Sequence, residues 1–200
     1  MNIWHDMNPN KIKADKFSAV IEIPKGSNCK YELDKETGLM KLDRLLYTAT
    51  YYPANYGFIP LTFAQDNDPL DVLVLCQESI VPLCEVEARP IGIVRMVDQG
   101  YIDEKIVAVC TGDPFYSTFK DIKELPSFVG NEIRHFFRVY KNLEGKTTQV
   151  TSIRGKEEAI KAIENSMLAY KDYKAGKFKA YKPAFEEGEP ITEKLAEKIY

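Results

Sequence analysis

The sequence predicts an α+β fold: a small closed β-barrel with helices following it. Two observations carry this. The first 115 residues fall into short strand-like runs parted by turn residues, without the alternating strand–helix pattern of a parallel α/β sheet. The C-terminal third then shifts to helical spacing. A length of 200 residues, 44% apolar and 28% charged, suits one globular domain that buries its core without disulfide or metal staples. Residues 17–23 alternate and stop at Pro24-Lys25-Gly26, a turn signal. Residues 30–34 alternate before the turn at 35–38, and 39–46 make the next strand. Asp71 opens the apolar run Val72-Leu73-Val74-Leu75, the pattern of a buried strand. Residues 91–97 and 105–109 flank a Gly-containing loop and read as a hairpin. Several short strands with turns between them favour a closed barrel over βαβ units.

Ile133, Phe136, Phe137, Tyr140 and Leu143 then recur at helical spacing, with Pro126 at the N-terminal end and Gly145 as the stop. A second helix is predicted over 156–173, with Ala159, Ile160, Ile163, Met167 and Tyr170 on its apolar face. The stretch 174–200 is rich in Lys and Glu and contains Pro183 and Pro190; Thr192 is suited to cap a short terminal helix.

Several functional classes are disfavoured. Lys plus Arg is 27 against 30 Asp plus Glu, a net charge of −3, whereas general nucleic-acid binders are usually basic. There is no apolar run of about 18 residues to span a membrane, and residues 1–16 lack a signal-peptide hydrophobic core, so the cytoplasm is the expected location. Cys29, Cys76, Cys84 and Cys110 are irregularly spaced and read as free thiols. With only His5 and His135, zinc sites and Ser-His-Asp triads have few candidates. Gly145-Lys146-Thr147 resembles the end of a P-loop, but Tyr140 occupies the place of the required first Gly.

The chemistry concentrates in Asp66-Asn67-Asp68-Pro69-Leu70-Asp71, immediately before the buried strand. Three carboxylates in six residues repel one another. Held at the edge of a core they call for a cation; fully solvated they are an ordinary loop, and both readings stand at this point. The EF-hand's Gly and distant Glu are missing. A second acidic pair, Asp98 and Asp103, brackets the hairpin loop and can converge across it. Oxygen-only ligands suit magnesium or manganese rather than zinc or copper. Lys30 and Glu32 share a strand face. Lys30, Arg44, Tyr56, Tyr140 and Lys141 are donors suited to phosphate oxygens; core packing or solvated charge is the alternative for each.

Taken together and in order, these segments resemble the soluble family I inorganic pyrophosphatases. That family's central motif is Asp-Gly-Asp-Pro-x-Asp followed by Val-Leu-Val, matched here at residues 66–74. Glu22-Ile23-Pro24, Lys30-Tyr31-Glu32, Asp43-Arg44, the segment from Tyr52 to Gly57, Asp98 to Lys105, and His135 to Lys141 agree as well. The resemblance covers roughly residues 17–170. It implies an OB-like five-stranded barrel with flanking C-terminal helices, a pyrophosphatase domain over 1–173 and an extension over 174–200 of unassigned role.

The resemblance further implies hydrolysis of pyrophosphate to two phosphates with several Mg2+ ions, for which Mn2+ can substitute. Asp66, Asp71 and Asp103 would hold one ion, Asp71 would bridge to a second, and Asp98 with Asp103 would hold another. Asp68 would be the general base. Lys30, Arg44, Tyr56, Tyr140 and Lys141 would bind phosphate, with Glu22, Glu32, Tyr52 and Lys105 in support. The partners implied are pyrophosphate and further copies of the chain, a hexamer ahead of a dimer, with no nucleic acid and no membrane.

The chain departs from the family pattern at Asn67, where Gly is usual, at Gln99, where an acid is common, and at Val139, where many bacterial members have a second His. Asn tolerates a left-handed backbone best among non-Gly residues, so the loop is expected to keep its shape. The rival functions are another metal-dependent phosphohydrolase, an OB-like nucleic-acid-binding module without activity, and a pseudo-enzyme.

Overall fold

Alternating apolar residues build the strands where the sequence places them, and three more strands form where the pattern is faint. The structure, a computed structural model, describes residues 2–178 and 180–186. Its strands are β1 (Ile12–Lys13), β2 (Lys16–Ile23), β3 (Cys29–Leu33), β4 (Met40–Leu45), β5 (Asn55–Phe58), β6 (Asp71–Leu75), β7 (Glu85–Asp98), β8 (Tyr101–Cys110) and β9 (Thr148–Gly155). Its helices are α1 (Ser127–Val139) and α2 (Lys156–Lys174). The main sheet runs β1-β2-β5-β6-β8-β7-β9, and β2 also pairs with β7. That extra pairing closes β2, β5, β6, β8 and β7 into a ring, the OB-like α+β architecture. β3 and β4 form a separate two-stranded sheet.

β6 is apolar on both faces because both are buried. Leu73 and Leu75 join the cluster containing Phe136 and Phe137 of α1, while Val72 and Val74 join that containing Ala159 and Ile163 of α2. Each large side chain so buried contributes about 1.5–3 kcal/mol. β5 escapes a sequence reading because it has only four residues and includes Gly57. A Cβ at Gly57 would collide with the β2 backbone at Val20, so the residue is set by strand approach rather than by β-propensity. β9 escapes because it is largely polar; only Val150 and Thr151 are buried as it pairs along β7.

β7 is longer than expected, passing through Pro90 with a register shift between Pro90 and Gly92. α1 is shorter: it ends at Val139, and Gly145 instead closes a 3₁₀ turn at Asn142–Glu144. Leu143 lies in that turn and is exposed, whereas Ile133, Phe136, Phe137 and Tyr140 are buried as the helical spacing requires. α2 buries Ala159, Ala162, Ile163, Ser166 and Tyr170, so its inner face is rotated slightly from the predicted one and leaves Ile160 and Met167 half-buried. The four cysteines are free thiols. The cap expected at Thr192 lies outside the described residues.

Candidate active site

The site begins with strand register. β6 and β8 run parallel with Asp71 opposite Lys105, and Asp103 shares a face with Lys105 two residues away. Lys105 Nζ therefore lies 2.7 Å from Asp71 Oδ2 and 2.7 Å from Asp103 Oδ1, and donates to the Tyr56 hydroxyl at 2.9 Å. Tyr56, on neighbouring β5, donates in turn to Asp71. Asp66 reaches in from the preceding loop. One carboxylate oxygen from each of Asp66, Asp71 and Asp103 lies within 4.8 Å of the others. Asn67, between Asp66 and Asp68, holds φ +73°, so the loop takes the left-handed turn that Asn tolerates. Asp68 is exposed; its backbone N–H donates to Asp66 Oδ1 at 3.2 Å, and its carboxylate pairs with Lys35.

The opposite wall comes from α1 and the hairpin. Lys141, just past the end of α1, pairs with Asp98 Oδ2, while Asp98 Oδ1 is buried without a hydrogen-bond partner. Tyr140 is buried beside it. On β3, Lys30 pairs with Glu32, and Glu22 of β2 accepts the Leu33 backbone N–H at 2.8 Å, tying β3 over the ring. Tyr52 packs 4.8 Å from Phe136 and 5.3 Å from Tyr56, centroid to centroid. These groups line one cleft of about 240 Å³.

Of the catalytic, metal-binding, phosphate-binding and supporting residues expected from the sequence, Arg44 alone does not line that cleft. It stands opposite Lys30 on β4, bound to Asp43 and, through Nε at 2.9 Å, to Glu144; its Nη2 is buried without a partner. Lys35 and Trp4 line the cleft and were not legible in the sequence, nor was Glu144's hold on Arg44. Lys35 Nζ lies 5.0 Å from the centroid of the Trp4 ring. Nothing local marks these residues, because their partners lie far along the chain.

Burial and mutual repulsion leave the carboxylates short of positive charge. Burial pushes Asp66 well above the usual carboxylate range, with Asp103 and Asp71 adding to it. Burial takes Asp103 up to about 6 despite the opposing pull of Lys105, and Glu22 up to about 8. Burial would lower Lys105, but Asp103 and Asp71 outweigh it and hold the ammonium well above its ordinary value. For Lys141 burial prevails over Asp98 and the pKa falls. Burial keeps Tyr56 and Tyr140 neutral, as phenol donors. An oxygen-only donor set, three converging carboxylates and the orphaned Asp98 Oδ1 all fit hard divalent cations.

An acidic, metal-fitting cleft walled by Lys and Tyr donors in an OB-like ring defines a metal-dependent hydrolase of phosphate anions. The profile of the family described as "Inorganic pyrophosphatase" matches residues 19–171. Soluble inorganic pyrophosphatase 1 of Arabidopsis thaliana is 50% identical over 170 residues, 85% of this chain and 80% of the relative. The inorganic pyrophosphatase of Helicobacter pylori superposes with TM-score 0.77 at 45% identity, covering 80% of this chain and 95% of that one. That of Thermus thermophilus superposes with TM-score 0.82 at 38% identity, covering 86% and 99%. The chain belongs to the inorganic pyrophosphatase family and is an inorganic diphosphatase, hydrolysing the anhydride of pyrophosphate. Among the described residues no helix is long and apolar enough to cross a membrane.

Proposed function

We propose that the chain hydrolyses pyrophosphate to two phosphates with Mg2+ at Asp66, Asp71, Asp98 and Asp103, Mn2+ being able to substitute, and with Asp68 as the general base. The observation that carries the reading is the meeting of carboxylates from the 66–71 segment and from the β7–β8 hairpin in one cleft with Lys30 and Lys141. When bound, the ions supply positive charge against the polyanion and make a water more acidic. Asp68, exposed at the cleft mouth, accepts the proton of the attacking water. Its pairing with Lys35 orients the carboxylate.

As water's oxygen bonds to one phosphorus, the bond from that phosphorus to the bridging oxygen breaks, and the charge developing on the leaving phosphate meets Lys30, Lys141 and the phenols of Tyr56 and Tyr140. Arg44 on β4, opposite the cleft-lining Lys30, is a further donor for phosphate in this reading, its guanidinium having to turn from Asp43 and Glu144 to reach it. Lys105 neutralises Asp71 and Asp103; Glu22, Glu32 and Tyr52 support the walls. Positioning and electrostatics suffice, with no covalent intermediate.

The cleft's size supports a small anion: about 240 Å³ is below the roughly 300–1,000 Å³ common for larger ligands. Turnover of pyrophosphate is therefore expected to exceed that of ATP at least about a hundredfold, since remote parts of ATP find no binding energy to spend on the reaction. Comparing phosphate release from the two substrates checks this; comparable turnover would favour a broader phosphohydrolase. We place the catalytic domain at 1–173 and the extension at 174–200, in the cytoplasm. The exposed Leu42, Leu45, Tyr47 and Tyr51 on and beyond β4 support a homo-oligomer, with a hexamer ahead of a dimer.

A further inference from the structure

We propose that the segment from Tyr181 to Phe185 forms a strap that ties the loop bearing Asp66 to the β7–β8 turn, between two of the metal-binding strands, with Asn67 as its anchoring residue. Two contacts, far apart in sequence, carry this. The Asn67 carboxamide pairs with the backbone of Tyr181 in both directions: Nδ2 donates to Tyr181 O at 3.2 Å, and Oδ1 accepts from Tyr181 N at 2.6 Å. Neither Gly nor Asp at position 67 can make both bonds, since Gly has no side chain and a carboxylate has no donor. Three residues further on, the backbone N–H groups of Ala184 and Phe185 donate to Gly100 O at 2.8 and 3.1 Å. Gly100 holds φ +86°, and a Cβ there would collide with the Phe185 carbonyl.

Asn67 lies between Asp66 and Asp68, whereas Gly100 lies between Asp98 and Asp103. Tyr181 to Ala184 spans at most about 11 Å of chain, which limits how far the two segments can part. The strap is itself seated: Phe178 and Tyr181 pack on Phe63, which stacks on Tyr173 with centroids 4.6 Å apart. The carboxylate of Asp66 converges with those of Asp71 at the start of β6 and Asp103 on β8 and is repelled by them, so a tie between the loop that bears Asp66 and the β7–β8 turn holds it ready for the cation rather than apart. Asn67 is thus a positioning residue, acting through the loops that bear the ligands.

The inference rests on the metal assignment above. A two-ended tie predicts non-additivity. Asn67→Gly removes one end and keeps a residue that accepts positive φ. Ala184→Pro removes a donor at the other end. In full-length protein, Mg2+ titrated by calorimetry should show a dissociation constant raised about three- to tenfold in each variant, the range one or two hydrogen bonds supply. Ala184→Pro leaves the Phe185 N–H on Gly100 O, so the double variant should be weaker than either single but fall short of the product of the two effects, because both act on the same tie. kcat at saturating Mg2+ should stay within about twofold of wild type, since the proposal places neither residue against the reacting atoms. Unchanged dissociation constants in both singles, or effects that multiply in the double as those of independent sites do, would overturn the strap. Wild type failing to bind Mg2+ would sink the metal assignment along with it, whereas binding by wild type with unchanged variants sinks the strap alone.

Discussion

Asp68→Asn is expected to slow phosphate release about 10²- to 10⁴-fold, the span general-base groups contribute, while leaving metal binding nearly intact. The separation follows from geometry. Asp66, Asp71 and Asp103 converge, but Asp68 stands outside that group, exposed at the cleft mouth. Asn is close to isosteric with Asp, and the backbone bond from residue 68 to Asp66 Oδ1 does not involve the substituted side chain. What is lost is the ability to accept a proton, together with the charge that pairs with Lys35. Steady-state rates and a calorimetric metal titration on the same sample check it. Unchanged turnover would remove Asp68 from the role of base. Weakened metal binding with intact kcat would make Asp68 a ligand instead.

Lys105→Met is expected to cost about 3–5 kcal/mol of folding stability in metal-free buffer at neutral pH, since it leaves buried carboxylates without their partner. The Lys105 side chain is 3% exposed and that of Asp103 7%, so water cannot replace the ammonium. The penalty has a definite sign with pH. Burial already sets Asp103 at about 6 in the folded protein, and without Lys105 it rises further. A folded-state carboxyl with a raised pKa binds protons that the unfolded chain has released, so stability falls as pH climbs above the unfolded value of about 4 toward the folded one. Relative to wild type, denaturant unfolding should therefore show little loss near pH 4, where both proteins hold the proton, and a loss that grows as pH climbs above about 6. Saturating Mg2+ should recover part of it, because a cation that binds only the folded state adds stability. A loss that neither pH nor Mg2+ alters would mean that Lys105 matters through packing rather than charge.

How much of this was legible in the sequence depends on the range of each interaction. The aspartate run and the Asp98–Asp103 hairpin declare themselves locally because their carboxylates are close in sequence, and the Lys30–Glu32 pair because a period of two puts both on one strand face. The buried strand β6 is legible because an uninterrupted apolar run needs two covered faces, which α1 and α2 provide. β5 and β9 are not, since Gly57 answers to the backbone of β2 and β9 is polar along an outer edge. Pro90 hides the first half of β7, where the shift at Gly92 accommodates it. Lys35 meets Asp68 from 33 residues away, and Asn67 meets Tyr181 from 114. For Asn67 the sequence supplies the backbone half of the reason, tolerance of positive φ; the carboxamide's pairing emerges only once the chain has folded back on itself.

Phosphate release from pyrophosphate by the full-length chain, with Mg2+ present, then chelated, then restored, tests the central claim most directly. Rapid release that stops on chelation and returns with Mg2+ is the predicted result. Release that persists in excess chelator, or none from folded protein saturated with Mg2+, would contradict a metal-dependent pyrophosphatase built on Asp66, Asp71, Asp98 and Asp103.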